Sequence, residues 1–406
     1  MWWLTESGHE AWLAAGIPVV LWRRGDYPRL PLPVSVVRRQ AQRRWLVVAC
    51  GVALLCGLPA IAGAWPVPNS PLSAAALRAR ILASADVPYQ GYVESSVDLD
   101  LPSLPDLGDV SSLLDGVTDQ YAWYLSPGQW RADTITQTGE DDTYQTSAGT
   151  FEWNYSANLM TQVTGSQPVR LPRAADLLPP ALALRLLGFA SSGTRVVRLP
   201  SQRVAGVDAA GLRLLPDDPE STVGAVDIWA DPRNGLPVEV AIVGHGAAQP
   251  ILVARFLDLS ETRPPAADVT PAPAAGVGTT VTALPDVSGI LDRFGPPLPG
   301  ALARMTRVPV PSGLADVAAY GAGFSRFAVL PLPSRVGQSA LNAAQTAGAG
   351  GVSLSGGTGA LIETPLLTVL LAQSQFGGPV YLLTGAVTPA LLVRAGSDLL
   401  SDESGS

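Results

Sequence analysis

Lysine is absent from this 406-residue chain, because the combined Lys and Arg count of 26 consists of arginines alone. Without a lysine amine, the chain lacks the group that a phosphate-binding P-loop, a Schiff base or a Ser-Lys pair requires. Cysteine and histidine are also scarce, with two of each. These absences exclude several enzyme classes.

Both cysteines, Cys50 and Cys56, lie within one apolar segment, so the chain after residue 65 has no disulfide and no thiol nucleophile. Its single histidine, His245, cannot form a zinc site alone, because such sites need several nitrogen or sulfur ligands. We interpret His245 as a turn residue and not as a general base. The Gly-x-Ser-x-Gly and Gly-x-Gly-x-x-Gly motifs are absent too. The sequence therefore predicts no catalytic residue, no metal ligand and no cofactor.

Carboxylates are plentiful, and three groups of them could supply an acid/base pair: Asp98 with Asp100, Glu140 with Asp141 and Asp142, and Asp217 with Asp218 and Glu220. All three groups fall at predicted strand ends or turns, where solvated carboxylates are the ordinary expectation. A hydrolase that uses these carboxylates is therefore the last-ranked hypothesis. We predict that the chain is not an enzyme.

Charge is distributed unevenly along the chain. Residues 1–44 carry seven arginines and three acidic residues, a net charge of +4. Residues after 65 carry 19 arginines and 31 acidic residues, a net charge of −12. An acidic surface repels nucleic acid, so we predict no nucleic-acid partner.

An uncharged segment of 21 residues, 45–65, separates these two parts. A helix of this length spans roughly 31 Å, which matches the hydrocarbon core of a bilayer. Trp45 and Trp65 stand at its ends, where indole rings favour the membrane interface. Arginines flank only the N-terminal side, which predicts a cytoplasmic segment 1–44 and extracytoplasmic domains after the span. The sequence thus predicts a single-pass protein of the cell membrane.

Two alternatives to a membrane anchor stay open. Ala62-Gly63-Ala64 resembles a signal-peptide cleavage site, so the segment could be removed, especially if translation starts downstream of Met1. Cys56 could carry a lipoprotein anchor, although Leu55 is bulkier than the residue usually found before such a cysteine.

The part after the span has the pattern of an α+β protein. Residues 66–262 begin with a helix predicted from Ser70 to Ala85 and continue with short alternating strands. Tight turns join these strands, which indicates antiparallel neighbours. Residues 263–310 are rich in proline and alanine and predict an interdomain linker. Residues 311–406 predict a smaller α+β domain, with a flexible loop at its glycine cluster Gly348–Gly359.

An apolar helix and several tryptophans stand out in the β-rich part. The segment Pro172–Ala190 is apolar nearly all round, which is typical of a helix that is buried or covers an apolar cavity. A curved sheet together with such a helix could enclose an acyl chain, and core packing is the alternative for each residue. The candidate lipid-binding residues are Trp123, Trp130, Trp153, Trp229, Leu178, Leu182, Leu186 and Phe189.

Several short motifs carry a resemblance to a known family. They are Tyr89-Gln90-Gly91-Tyr92, Pro127-Gly128-Gln129-Trp130-Arg131-Ala132-Asp133, Gly149-Thr150-Phe151-Glu152-Trp153, Gly211-Leu212-Arg213-Leu214-Leu215-Pro216, Val226-Asp227-Ile228-Trp229-Ala230-Asp231 and Gly235-Leu236-Pro237. Over residues 72–260 the chain resembles the LolA-like lipoprotein-carrier superfamily. The segment Pro379–Pro389 resembles the last strand and helix of the smaller domain in the sigma-E regulatory (RseB/MucB-type) branch.

The resemblance implies a fold and a function. It implies an unclosed antiparallel β-barrel wrapped on helices, with an apolar cavity for the acyl chains of a lipid or lipoprotein. The leading hypothesis is therefore a membrane-anchored, non-enzymatic binding protein of the cell envelope. The alternative is an envelope-stress regulatory module that binds an anti-sigma factor or another membrane protein.

Overall fold

The structure is a computed structural model, and it describes residues 42–53, 66–99, 113–136, 139–164, 172–191, 193–273, 276–283, 298–309 and 318–404. Residues 1–65 and 66–406 form two units. In the first unit, residues 42–53 form helix α1. No helix within the described ranges is long and apolar enough to cross a bilayer. Residues 1–41 of the predicted cytoplasmic segment and residues 54–65 of the predicted span lie outside those ranges.

The second unit is mostly β-sheet with few helices. Its described helices are α2 (Ala74–Leu82), α3 (Pro179–Phe189), α4 (Ser334–Thr346) and α5 (Pro389–Ser404). The strands of its first sheet are β1 (Tyr89–Asp98), β2 (Asp115–Ser126), β3 (Gln129–Thr136), β4 (Gly139–Thr146), β5 (Gly149–Asn154), β6 (Leu159–Thr164), β7 (Arg195–Val204), β8 (Val207–Leu215), β9 (Val223–Ala230), β10 (Pro237–Gly244), β11 (Pro250–Ser260) and β12 (Gly278–Ala283).

The first sheet has the strand order β12-β6-β5-β4-β3-β2-β1-β11-β10-β9-β8-β7. Every pair is antiparallel except β12 with β6, which is parallel. The two end strands, β12 and β7, do not pair with each other, so the described strands form an unclosed sheet. This confirms the coarse part of the predicted fold, a largely antiparallel sheet that stays open.

Two helices cover one face of this sheet, which we call the inner face. Ser73 caps α2 by accepting a hydrogen bond from the Ala76 amide at 3.1 Å. The helix therefore begins three residues after the predicted start, Ser70, whose amide donates to the Ser201 hydroxyl. Leu77 and Ile81 of α2 are fully buried. Their burial ties the helix to the sheet.

A tight turn between β9 and β10 brings the sheet against α2. The Asp231 amide donates to the Leu236 carbonyl, and the Gly235 amide donates to the Asp231 carbonyl at 2.8 Å. Gly235 has a φ of +82°, and an added Cβ would lie 2.3 Å from the Arg80 carbonyl oxygen. Only glycine fits this close approach without strain. Residues 231–235 thus form one of the tight turns that join antiparallel strands, here β9 and β10.

The second sheet has the order β13-β14-β15-β16-β20-β19-β18-β17. Its strands are β13 (Ala301–Leu302), β14 (Met305–Val308), β15 (Ala318–Tyr320), β16 (Phe327–Leu332), β17 (Gly350–Leu354), β18 (Gly357–Glu363), β19 (Thr368–Ser374) and β20 (Val380–Gly385). Leu370 of β19 lies in the buried cluster of α5, and its neighbour Leu371 lies in the cluster of α4. The two helices therefore cover opposite faces of this sheet.

The glycine cluster Gly348–Gly359 contains strands, so the prediction of a flexible loop there is wrong. It includes β17 and the start of β18, which pair in an antiparallel ladder. A Cβ at Gly357 would lie 2.0 Å from the Gln373 carbonyl oxygen, and one at Gly359 would lie 2.8 Å from that of Leu371. Glycine is thus needed here for close strand packing, and not for flexibility.

A short strip of hydrogen bonds joins the two sheets. Ser221 and Val387 form an isolated antiparallel bridge, and the Thr388 amide donates to the Glu220 carbonyl at 2.9 Å. The Glu220 carboxylate accepts from the Thr388 hydroxyl at 2.6 Å and from Arg394. The Asp218 carboxylate accepts from the Ser325 hydroxyl. The sequence suggested that these loop carboxylates are solvated. In the structure, Asp218 and Glu220 instead have hydrogen-bond partners in the second half of the chain.

Candidate functional site

The helix residues predicted to contact a ligand lie in or against packed cores. Leu182 and Leu186 belong to the same buried cluster as residues of α2 and of β8 to β11. Leu178 lies in a second buried cluster. Phe189 is half-buried, and its ring centroid lies 6.2 Å from that of Phe324. The inner side of α3 is therefore occupied by protein side chains.

The four predicted tryptophans are divided between the two faces of the first sheet. Trp130 lies on the inner face, packed against the cluster that contains Tyr89. Trp123 and Trp153 lie on the opposite face, which we call the outer face, as their strand registers require, whereas Trp229 packs against the same cluster as Trp130. The eight candidate residues thus do not line one cavity together. Their role in lipid binding stays a prediction.

The outer face of β2 to β6 and β12 carries two adjacent rows of cross-strand neighbours. Residues two apart along a strand share a face, so pairing across the ladder aligns them. The first row is Trp123, Arg131, Tyr144, Phe151, Gln162 and Val281. The second row is Tyr121, Asp133, Asp142, Trp153, Met160 and Thr279.

An arginine of the first row lies among three carboxylates of the outer face. Arg131 donates its Nε–H to Asp133 and a terminal N–H to Asp142 at 3.0 Å, and it lies 3.7 Å from Glu140. Its guanidinium carbon also lies 5.0 Å from the ring centroid of Trp123. Stacking on an aromatic face while pairing with carboxylates suits the planar guanidinium. We call these five residues the Arg131 cluster.

The Arg131 cluster is buried enough to affect its ionisation. The side chains of Asp133 and Asp142 are each 3% exposed. Burial disfavours the charged carboxylate and raises the pKa of both aspartates, while Arg131 acts in the opposite direction. Oxygen atoms of Asp133, Glu140 and Asp142 lie within 4.8 Å of one another. Since one guanidinium balances only one of three negative charges, the cluster favours keeping a proton.

A segment that follows β11 crosses this outer face, and we call residues 261–283 the strap. Its short 3-10 helix, Ala266–Val269, contacts β2, β3 and β4, and Val269 is fully buried. The strap then forms β12, where the Gly278 amide donates to the Asn158 carbonyl at 3.0 Å. The first half of the predicted 263–310 linker is therefore packed against the sheet in its described residues.

A cavity of about 750 Å³ lies between the strap and the outer face. The sheet contributes Phe151 and Met160, and the strap contributes Pro271 and Pro273. The other described lining residues come from the β2–β3 and β4–β5 turns, from β6, from the strap and from β12, and no lining residue among the described ones is charged. The described lining residues are Ser126, Gly128, Gln129, Thr146, Ser147, Ala148, Phe151, Met160, Gln162, Thr270, Pro271, Pro273, Thr279, Thr280 and Val281. This volume is within the roughly 300–1,000 Å³ typical of small-molecule sites.

The cavity could not be located from the sequence, although one signal was present. The strand alternation places Phe151 and Trp153 on one face, and a search for apolar residues opposite the core would have found them. The strap gave no such signal, because its proline-rich composition resembles that of a linker. Its parallel pairing with β6 joins residues more than one hundred positions apart in the chain, such as Val281 and Gln162.

His245 lies exposed in the turn between β10 and β11. Its backbone amide donates to the Thr222 carbonyl at 2.7 Å. This is the turn position that the sequence indicated for it.

No protein-family model and no curated protein matches the chain. Solved structures do. The chain is similar in structure to MucB. A structure of the Pseudomonas aeruginosa MucA/MucB complex matches with 17% identity and a TM-score of 0.44, covering 80% of this chain and 96% of that one. A structure of MucB alone matches with 17% identity and a TM-score of 0.41, covering 79% and 94%.

A LolA-superfamily protein of Nitrosomonas europaea also matches, with 11% identity and a TM-score of 0.23. That match covers 49% of this chain and 98% of the other. The resemblance predicted from the sequence motifs is thus found among solved structures as well. It is a likeness of architecture.

Proposed function

We propose that this protein is a non-catalytic binding protein, held at the outer side of the cell membrane, that takes up an acyl chain of a lipid or lipoprotein. The observation that supports this function is the cavity beneath the strap, whose described lining residues are all uncharged. An uncharged lining disfavours an ionic ligand, because buried charges need partners. Phe151, Met160 and Val281 offer apolar contacts to a hydrocarbon chain.

The driving force for such binding is the removal of methylene groups from water. Each buried methylene contributes about 0.8 kcal/mol, so even a partly inserted chain gains several kcal/mol. The Thr, Ser and Gln side chains of the lining can hydrogen-bond the ester or amide groups next to the chain. The site therefore fits the acyl end of an amphiphile better than a purely hydrocarbon molecule.

Photoaffinity labelling of the full chain in its membrane tests this proposal. The probe is a fatty acid that carries a photoactivatable diazirine, and mass spectrometry of tryptic peptides locates the label. We expect label in the peptide 132–170, which contains Phe151 and Met160. Label in the apolar segment 45–65 is expected in any case and reports membrane contact only.

Two substitutions should reduce the label in peptide 132–170. Ala148→Trp and Thr279→Trp each place a large ring in the cavity, since both residues line it and Thr279 lies in the outer-face row of Met160. The matched control is Ala247→Trp, which changes an exposed alanine in the turn between β10 and β11. Labelling that stays confined to the apolar segment in every variant would contradict the proposal.

A second candidate function is the regulatory binding of a membrane protein such as an anti-sigma factor. The observation that favours a protein partner is an exposed apolar strip on the outer face of β1 to β3. Val117, Tyr121 and Ile135 are 64%, 46% and 45% exposed, and the Tyr92 ring centroid lies 4.8 Å from that of Tyr121. Exposed apolar patches of this kind are typical of protein interaction sites. In the solved MucB complex, the bound protein is MucA.

Co-purification of the full chain from its own cells tests the second candidate. We expect one single-pass membrane protein to accompany the chain, and Tyr121→Glu to release it by placing a charge in the strip. The matched control is Tyr155→Glu, at a tyrosine that is 62% exposed outside the strip. Equal recovery of the partner with both variants would exclude this strip as its site.

A further inference from the structure

The strand β12 is an open edge of the first sheet. It pairs with β6 on one side, and no other described strand pairs with its second side. Residues Thr279 to Thr282 are exposed, and Val281 is 66% exposed. An edge of this kind presents unpaired backbone groups to solvent.

The register shows which backbone groups are unpaired. The Gly278 amide donates toward β6, and alternate residues of a strand direct their backbone groups to opposite sides. Gly278, Thr280 and Thr282 therefore bond to β6. The amides and carbonyls of Thr279, Val281 and Ala283 are directed to the open side.

The edge β12 lacks the features that usually block strand addition. Its sequence, Gly-Thr-Thr-Val-Thr-Ala, has no charge and no proline. The other end of the sheet, β7, carries three arginines and Pro200, has a bulge between Leu199 and Gln202, and is contacted by Asn69 and Ser70 at Ser201. Natural sheets protect their edges by these devices. Only one end of the sheet is thus protected.

From these observations we infer that β12 is a docking edge for an extended, uncharged peptide segment of a partner protein, which adds a strand beside it. Main-chain hydrogen bonds supply the affinity in this mode of recognition, and neighbouring pockets supply the specificity. Thr279 and Val281 also line the cavity, so apolar side chains of the added strand would lie next to the cavity. The inference uses the backbone edge and does not depend on an acyl ligand.

A second copy of this chain fits the edge less well. Six residues of strand extend over roughly 20 Å, whereas a stable dimer buries about 800 Å² on each partner. The pairing of two such edges alone covers much less than that. A short peptide needs no larger contact, because its backbone bonds and one or two side-chain contacts suffice for moderate affinity.

Fluorescence anisotropy with the full chain in detergent tests the inference. The probe is a labelled, capped peptide of alternating threonine and valine, and its control is the same peptide with alternate amides N-methylated. We expect the first peptide to bind and the second not to bind, because methylation removes the donors that an added strand requires. This comparison uses the unaltered chain.

Two variants of Val281 separate the backbone from the side chain. Val281→Pro removes an N–H that points to the open side and leaves the hydrogen bonds to β6 intact. An edge strand tolerates proline at such a position. Val281→Pro should weaken peptide binding about tenfold or more, since a lost hydrogen bond and a blocked approach together exceed about 1.4 kcal/mol. Val281→Ala keeps the N–H and should bind the peptide nearly as well as the unaltered chain.

Three results would overturn the inference. They are no anisotropy change with the unaltered chain, equal binding of the two peptides, and unchanged binding by Val281→Pro. Sedimentation of the full chain adds a further outcome. Self-association that Val281→Pro abolishes would assign the edge to a second copy and not to a partner peptide.

Discussion

At the scale of single residues, strand alternation separates side chains that are adjacent in sequence. Glu140, Asp141 and Asp142 form one acidic run, which the sequence suggests as a possible acid/base group. In the structure Asp142 joins the Arg131 cluster, while Asp141 is on the opposite face, where it accepts from the Asn154 side chain at 2.8 Å. The partner of each carboxylate depends on its face and on strand register, and neither is visible in a short acidic run.

Replacing Arg131 should destabilise the protein strongly. Arg131→Ala leaves two buried aspartates without their cation, and breaking such a buried pair costs about 3–5 kcal/mol. The measurement is the free energy of unfolding from chemical denaturation. The control is Arg203→Ala, which breaks an exposed pair with Asp208 and should change that free energy by less than about 1 kcal/mol. Similar losses in both variants would contradict the burial of the cluster.

The contribution of Asp133 to the stability of the protein should fall as the pH rises above about 4, where an ordinary aspartate ionises. The pKa of Asp133 is raised mainly by burial, so the folded chain keeps its proton when the unfolded chain has released it. Rising pH therefore favours the unfolded chain until Asp133 itself ionises. Asp133→Asn should flatten this part of the stability profile, measured by denaturation at a series of pH values. Parallel profiles for the two proteins would show that Asp133 does not carry the effect.

At the scale of helices and strands, local patterns identified most elements but not their partners. Alternation predicted short strands within residues 66–262, and between Asp115 and Thr164 the structure contains them as β2 to β6. The helix within Pro172–Ala190 is present as α3, begun by Pro179 and Pro180. Its apolar surface fits a buried helix and a ligand-covering helix equally well, since both need the same residues. Only the packed neighbours of Leu182 and Leu186 distinguish the two.

Shortening the buried leucines of α3 should affect stability and not acyl labelling. Leu182→Ala and Leu186→Ala each leave a hole in a packed core, which costs about 2–5 kcal/mol. Label from the diazirine fatty acid should still appear in the peptide 132–170. The comparison variant is Arg185→Ala on the exposed side of the helix, whose loss should stay below about 1 kcal/mol. If the leucine variants lost label but kept their stability, the ligand would lie under α3.

At the scale of the whole molecule, the sequence indicated two β-containing regions joined by a linker. The structure contains two sheets, but the strap extends the first sheet beyond residue 262 by packing on it and adding β12. Proline and alanine content predicts a lack of regular structure, yet Val269 and Pro264 are buried. Such burial depends on the partner surface, here the outer face of β2 to β4, and a local composition does not reveal it.

The proposed orientation in a membrane can be tested on the full chain. Arginines flank only the N-terminal side of the apolar segment, which predicts a cytoplasmic N-terminus. Alkaline phosphatase, which is active only outside the cytoplasm, should be active when fused after Ser406 and inactive when fused ahead of Met1 of the full chain. N-terminal sequencing of the mature chain separates an anchor from a cleaved signal peptide. Activity of the fusion ahead of Met1 would reverse the proposed topology.

The hydrogen bonds that join the two sheets couple their unfolding. The Thr222 amide and hydroxyl bond to the Ala386 and Leu366 carbonyls at 3.1 Å and 2.6 Å, and Ser221 is buried. Separating the sheets would expose these groups together with the apolar residues beside them. Heat should therefore melt both sheets in one calorimetric transition, and anything that tightens one sheet should slow amide exchange in the other.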